Sequence, residues 1–450
     1  MQTMKRLLAF ALALTMVFAL AACGDKSGAT DSTAAAPTAA AVTENAVYRT
    51  LYASEVTTLN YLITGQTNEL NIAANVVDCL VEYDSYGNVE PALATSWEQN
   101  EDATVWTFHI REGVNWVDKD GKVVAPVTAN DWVSSAHYAC DANNDSDTFY
   151  TMSGVIAGAD AYYDWTAYQM ALPDATDGTD KDGNAVKFIT NEDGEQEILE
   201  EVPEASIDDI GVKALDEYTL EFTLAASCPY FLSKVSFGPY MPVYGPFLDE
   251  CGSKFGTDNS TLLYCGAFIL STYEPQQQRV LTKNPTYWDK DNVKLNQVNW
   301  YCVAENATAA TMFDNGQLDV FDAAGDYIAK YDKEVEAGNM QTMTTEYPGT
   351  MVLCYEQSEG GKSGLMKNVN IRKAISYSIN REEMVSAVYG RYTAAYGFVS
   401  PAITLDGTSY RKQASETMKE EYEQYAGDAD KLKALFQKGL DELGITDKPE

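Results

Sequence analysis

The first 23 residues decide where this chain folds, and so which interactions can hold it together. Lys5 and Arg6 form a short basic region, Leu7 to Leu20 run apolar with Thr15 the one hydroxyl among them, and Leu20-Ala21-Ala22-Cys23 closes the segment. The apolar run falls short of the about 20 residues that a membrane-spanning helix needs. Charge, apolar run and small-residue site in that order read as a bacterial secretory signal, so the remainder is expected to fold outside the cytoplasm.

Cys23 comes directly after the small residues, as in a lipobox, where the thiol is lipidated and becomes the mature N-terminus. Residues 1–22 are then the signal peptide and Cys23 the lipid site. Residues 23–46 hold almost nothing but small and polar side chains. Such a stretch cannot bury enough apolar surface to offset its ordering entropy, and reads as a flexible tether. Pro37 and the Thr residues oppose an alanine-rich helix there.

The body of the chain, beyond the tether, has about 400 residues, more than one hydrophobic core usually serves, so two or more lobes are expected. The formal charge is −36, and about −38 once Lys5 and Arg6 leave with the signal. A body this acidic repels nucleic acid and anionic lipid headgroups, which excludes both as partners. Acidic residues and glycines concentrate between Asp174 and Glu204, an exposed hairpin-and-loop insertion whose DGTDKDGN spacing does not fit an EF-hand. With Cys23 lipidated, Cys79, Cys140, Cys228, Cys251, Cys265, Cys302 and Cys354 remain, scattered singly. An odd count without a CxxC pair argues for free buried thiols, a Cys251–Cys265 bridge staying open.

Catalysis needs a positioned acid, base or nucleophile, and the chain offers few. Its two histidines stand apart, His109 in a strand-like WTFHIR and His137 in a helical SSAHYAC. No HExxH, GxSxG, GxGxxG or GxxxxGK[ST] occurs. Ser409-Tyr410-Arg411-Lys412 satisfies SxxK, but the companion motifs Ser-Asp-Asn and Lys-Thr-Gly are missing. The carboxylates are so many that a glycosidase-like pair carries no weight. A binding protein needing no metal or organic cofactor is the expectation.

Three segments in order point further. In the first, residues 91–139, Ser96-Trp97-Glu98, Trp106 to Arg111, Gly113 to Trp116 and Thr128 to Val133 succeed one another. Trp106, Phe108 and Ile110 alternate as in a half-buried strand, and Thr128 with Asp131 resembles a capping box. The second, residues 264–289, ends in Asn284-Pro285-Thr286-Tyr287-Trp288. The third, residues 368–401, sets Ile371, Ala374, Ile375 and Ile379 on one helical face, with Asn380 and Glu383 capping the next helix. Together they resemble the large oligopeptide-binding class of extracellular solute-binding proteins, family 5. Trp132 stands where that family usually has Val, and Gly266-Ala267 replaces its Gly-Pro.

The resemblance implies an α/β, two-lobed periplasmic-binding-protein-like (type II) fold, with a hinge between the lobes and an inserted subdomain in lobe I. Lobe I is expected at residues 47–268, with 69–204 as the insertion, and lobe II at 269–450. The implied function is capture of peptides between the lobes, as a monomer that delivers them to ABC permease and ATPase subunits. The alternatives are a non-peptide solute or a chemosensory or signalling peptide receptor; two histidines make nickel held by imidazoles a poor fit. Glu55, Val56 and Thr57, in the loop after the first strand, are the expected ligand contacts, with Tyr264 and Tyr301. Asp428 to Gly444 reads as a capped amphipathic helix with Leu432, Leu435, Phe436, Leu440 and Leu443 on one face. Relative to the family the chain is expected to be incomplete beyond it, leaving that face uncovered.

Overall fold

The computed structural model describes residues 46–445 except 53, 85–86, 192–193, 344–347, 359–360, 362, 390–391, 406–407 and 415–416. The signal segment, Cys23 and nearly all of the tether lie outside the described residues. The elements that position the site are strand β1 (Val47–Tyr52), helix α1 (Thr67–Val76), strands β2 (Ala94–Gln99) and β3 (Val105–Ile110) and helix α2 (Asn130–Ala139). Strands β4 (Val212–Ala214), β5 (Thr219–Thr223), β6 (Phe268–Glu274), β7 (Gln278–Lys283) and β8 (Gln297–Cys302) come next, then helices α3 (Asn306–Asp314), α4 (Val369–Ser378) and α5 (Ala429–Glu442).

Two four-stranded sheets organise the first 300 residues. One has the order β1-β8-β7-β6, with β1 and β8 parallel and the rest antiparallel. The other, all antiparallel, has the order β4-β5-β3-β2. In β3 the expected alternation holds: Trp106, Phe108 and Ile110 are buried. Phe108 meets Phe222 of β5 edge-on at 5.7 Å, and Phe222 meets Phe231 at 5.2 Å. Each such ring, fully buried, contributes about 1.5–3 kcal/mol.

The residues that carry the family resemblance are structural, as their patterns imply. Asp131, 3% exposed, accepts from Trp116 Nε1 and from the Thr128 N–H, both at 2.9 Å. That is the capping-box contact of helix α2. Asn284 donates from its side chain to Gly266 O at 3.0 Å. Gly266 is needed there, since a Cβ would lie 2.7 Å from the Val76 carbonyl carbon. Trp288 donates to Asp78 at 2.7 Å, and its ring lies under the Arg111 guanidinium at 3.8 Å.

The first sheet joins segments on both sides of residue 268, where the sequence reading divides the lobes. Ile269, Leu270, Leu281 and Val298 bury themselves in the same core as Val56 and Leu62. Within the span 69–204, β2 and β3 pair in one sheet with β4 and β5, which lie beyond it, through Thr223. The acidic insertion is a three-stranded antiparallel meander, Thr176–Thr179, Ala185–Thr190 and Gln196–Leu199. The seven cysteines beyond Cys23 are free; Cys265 is buried, and no bridge joins it to Cys251.

A second, small core forms from Leu365, Ile371 and Leu440, with Ile375, Phe436 and Leu443 packed on it. Here the apolar face of α5 covers that of α4, so the face expected to lie bare is occupied. Gly439 permits the close crossing: a Cβ there would stand 2.5 Å from Ile371 Cγ1. The caps agree with the reading, Asp428 accepting from Lys431 N and Asn380 from Glu383 N, both at 3.1 Å.

Burial pushes the Asp131 carboxyl up to about 7, against the two hydrogen bonds that favour its charged form. Such a group binds its proton more tightly in the folded chain. Its stabilisation is fully present below its unfolded pKa, about 4, and is lost as pH rises through about 7. The chain is therefore expected to lose on the order of 2–4 kcal/mol of stability from this group between pH 4 and 8. In Asp131→Asn, whose amide oxygen keeps both hydrogen bonds, that part of the slope should vanish; denaturant melts across this pH range read it directly. An unchanged slope would contradict the assignment.

Candidate functional site

Parallel neighbours β1 and β8 run side by side, Leu51 opposite Tyr301 and Tyr52 opposite Cys302. From their carboxyl ends the chain parts in two directions. One continuation runs through residues 54–66 into α1, whose Ile72, Ala73 and Val76 lie in the large core. The other enters α3, whose buried Ala309 and Ala310 stand outside that core. In α/β sheets ligands gather outside the carboxyl ends of strands where such connections diverge. This end of the sheet is the candidate site.

The loop after β1 is held by two carboxylates. Glu69, 4% exposed on the first turn of α1, accepts at one oxygen from Thr57 N at 2.6 Å, Thr57 Oγ1 at 2.8 Å and Thr58 N at 3.3 Å. Its other oxygen accepts from Thr64 Oγ1. Burial works to raise this carboxyl, but the hydrogen bonds from Thr64, Thr57 and Thr58 outweigh it and hold it below its ordinary value.

Glu55 ties the same loop to the β6–β7 hairpin. It pairs with Arg279 of β7 and accepts from Gln276 N and, at 3.0 Å, from Val56 N. Burial again opposes the charge, and again these donors hold the carboxyl low. Arg279 is 1% exposed, and its guanidinium lies 3.7 Å over the Tyr52 ring. Gln276 sits at the hairpin tip with φ of 61°, a conformation non-glycine residues seldom take, and Glu55 holds its amide there.

The structure gathers Glu55, Val56, Thr57 and Tyr301 at one end of the sheet. Val56 buries its side chain; Glu55 and Thr57 spend theirs on internal hydrogen bonds. Tyr301 is half-buried, its hydroxyl accepting from Asn299 Nδ2 at 3.2 Å. Tyr264 is set apart. Its side chain is 0% exposed and its hydroxyl donates to Asn259 O at 2.6 Å, so its ring serves the core. Arg279 and Glu69 were absent from the sequence reading, though one signal marks both. Alternation in QRVLTK places Arg279 on the face of Leu281, and Glu69 heads the buried stripe Ile72, Ala73, Val76. A charge on a buried face needs a partner.

The free edge of β1 is partly filled by Asp319, which accepts from Arg49 N and Nη2, each at 2.7 Å, and returns its own N–H to Arg49 O. His109 lies on the exposed side of β3 with Glu98 Oε2 at 3.1 Å. Burial lowers the pKa of His137, in the last turn of α2. Neither histidine is part of the candidate site.

Residues 88–450 match the model of the bacterial extracellular solute-binding proteins, family 5. The chain belongs to this family. Among its relatives are the oligopeptide-binding proteins SarA of Streptococcus gordonii and AmiA of Streptococcus pneumoniae. SarA is 28% identical over 82% of this chain and 53% of its own length; AmiA is 30% identical over 83% and 48%. The chain thus spans about half the length of these curated relatives. Among solved structures it is similar to Listeria monocytogenes OppA bound to peptide, with a TM-score of 0.68 at 23% identity, covering 90% of this chain and 70% of that one. The substrate-binding domain of an oligopeptide ABC transporter from Bacillus anthracis gives 0.66 at 25%, covering 90% and 68%. The fold is the type II periplasmic-binding-protein fold that the family resemblance implies.

Proposed function

We propose that this chain is the peptide-capturing component of an ABC importer, anchored outside the cytoplasm by a lipid on Cys23. The observation that carries the reading is the loop held by two carboxylates at the carboxyl ends of β1 and β8, in a chain of the solute-binding family. Glu55 and Glu69 fix backbone geometry and leave no side chain arranged for bond making or breaking, so the chemistry offered is hydrogen bonding and enclosure. An extended peptide satisfies such a surface by strand-like pairing of its own backbone, while water-filled pockets accept varied side chains. SarA and AmiA are oligopeptide-binding proteins and the Listeria OppA holds a peptide, which supports a peptide ligand here. Likeness to the pheromone receptor PrgZ, at 25% identity and a TM-score of 0.59, favours a signalling peptide as the second reading.

We divide the lobes so that lobe I spans residues 47 to about 302, with the insertion reaching past Thr223, and lobe II lies beyond; the strand pairing supports this division. Capture then proceeds by closure of the lobes over a ligand that touches both. The loop after β1, Tyr301 and the backbone of Val56 and Thr57 are the contacts assigned to lobe I. Delivery is to permease and ATPase subunits, by a monomer.

Native mass spectrometry of the protein purified from its host is expected to show bound peptides. A non-peptide solute in their place would overturn the ligand assignment. Cys23→Ser is expected to release the protein from the membrane into the medium or periplasm, and unchanged retention would remove the lipid anchor from the account.

A further inference from the structure

A notch of about 190 Å³ opens between residues 150–151 and 233–237, lined by Tyr150, Thr151, Ser233, Lys234 and Phe237. This is below the roughly 300 Å³ at which pockets begin to enclose a whole small ligand. It suits one group carried on something larger. The walls are firm: Phe149 stacks on Tyr163 at 4.0 Å, and Thr151 Oγ1 donates to Thr148 O at 2.8 Å. Thr151 O accepts from buried Tyr240 Oη at 3.0 Å and from Lys234 Nζ at 3.3 Å. Tyr150, by contrast, is 68% exposed at the rim.

Lys234 is the unusual group. Its ammonium has three donors, and among the described residues the bond to Thr151 O is the one it makes. No described carboxylate pairs with it, although the chain carries 67 acidic against 31 basic residues. A half-buried cation with unspent donors between Tyr150 and Phe237 attracts an anion, and does so more strongly than a solvated surface lysine. Asp147 N donates to Ile63 O at 2.9 Å and Ser146 Oγ to Leu62 O at 2.8 Å, which ties the notch-forming segment to the loop after β1. Thr148 Cγ2 would meet a Cβ on Gly65 at 3.6 Å.

We propose that this notch receives a carboxylate of the bound peptide and that Lys234 selects for it, an assignment that rests on the peptide-binding reading above. Either a C-terminal carboxylate or an acidic side chain presents the same chemistry. Titration calorimetry of the full chain with matched peptides separates the two: free C-terminus against amide, and Glu against Gln at one position. The expected result is about tenfold tighter binding of one acidic member, the size of one charge-assisted hydrogen bond. Lys234→Met should remove that preference while leaving affinity for the amidated, Gln-containing peptide unchanged, and Lys234→Arg should retain it. Equal binding of acid and amide forms by the native chain, or a preference that survives Lys234→Met, would overturn the assignment and leave peptide binding standing. Failure of every peptide to bind would overturn both readings.

Discussion

Arg279 is a charge taken almost wholly out of water, and the geometry of the candidate site depends on how it is neutralised. Its partner, Glu55, lies in the loop after β1, more than 200 residues away in sequence. Removing one member of a buried pair costs about 3–5 kcal/mol, because the other is left charged and unpaired. That cost is a large fraction of a domain's total stability. The loop therefore cannot drift from the β6–β7 hairpin without exposing the guanidinium or leaving it alone. Glu69 fixes the next residues from the opposite side, through Thr57, Thr58 and Thr64. A segment without helix or strand is in this way made as firm as the sheet beside it.

Firmness at that place has a functional meaning. A binding protein that pairs with a ligand's backbone gains affinity when its own donors and acceptors are already in position, since their ordering entropy is spent in folding and not in binding. The carboxylates do this without presenting charge to the ligand, because their lone pairs are occupied by internal donors.

Much of the architecture was legible in the sequence, for reasons that can be named. Alternation in WTFHIR gave β3, the Thr128–Asp131 spacing gave the start of α2, and the apolar stripe from Leu432 to Leu443 gave α5. These are local signals, set by period and by capping. Strand pairing was not legible because it is not local: nothing within residues 268–302 says that β8 runs parallel to β1. The site was half legible. The loop after β1 was nominated as a backbone that faces the ligand; that the Glu55 and Thr57 side chains are spent on internal hydrogen bonds was not legible, since their partners lie elsewhere in the chain. Tyr264 was read from its place beside a turn, while its burial depends on the bridge it makes to Val117, far away in sequence. Arg279 and Glu69 were missed although each put a charge on a buried face.

Hydrogen exchange, monitored by mass spectrometry with and without peptide, addresses the central claim most directly. In the free chain, the amides of Val56, Thr57 and Thr58 should exchange as slowly as those of β1 and β8, because each donates to a buried or partly buried carboxylate. Added peptide should deepen protection there and in residues 301–305, at the carboxyl ends of the parallel pair. Rapid exchange of residues 56–58 in the free chain, or protection by peptide confined to the meander at 176–199 or the outer sheet at 94–110, would contradict the account.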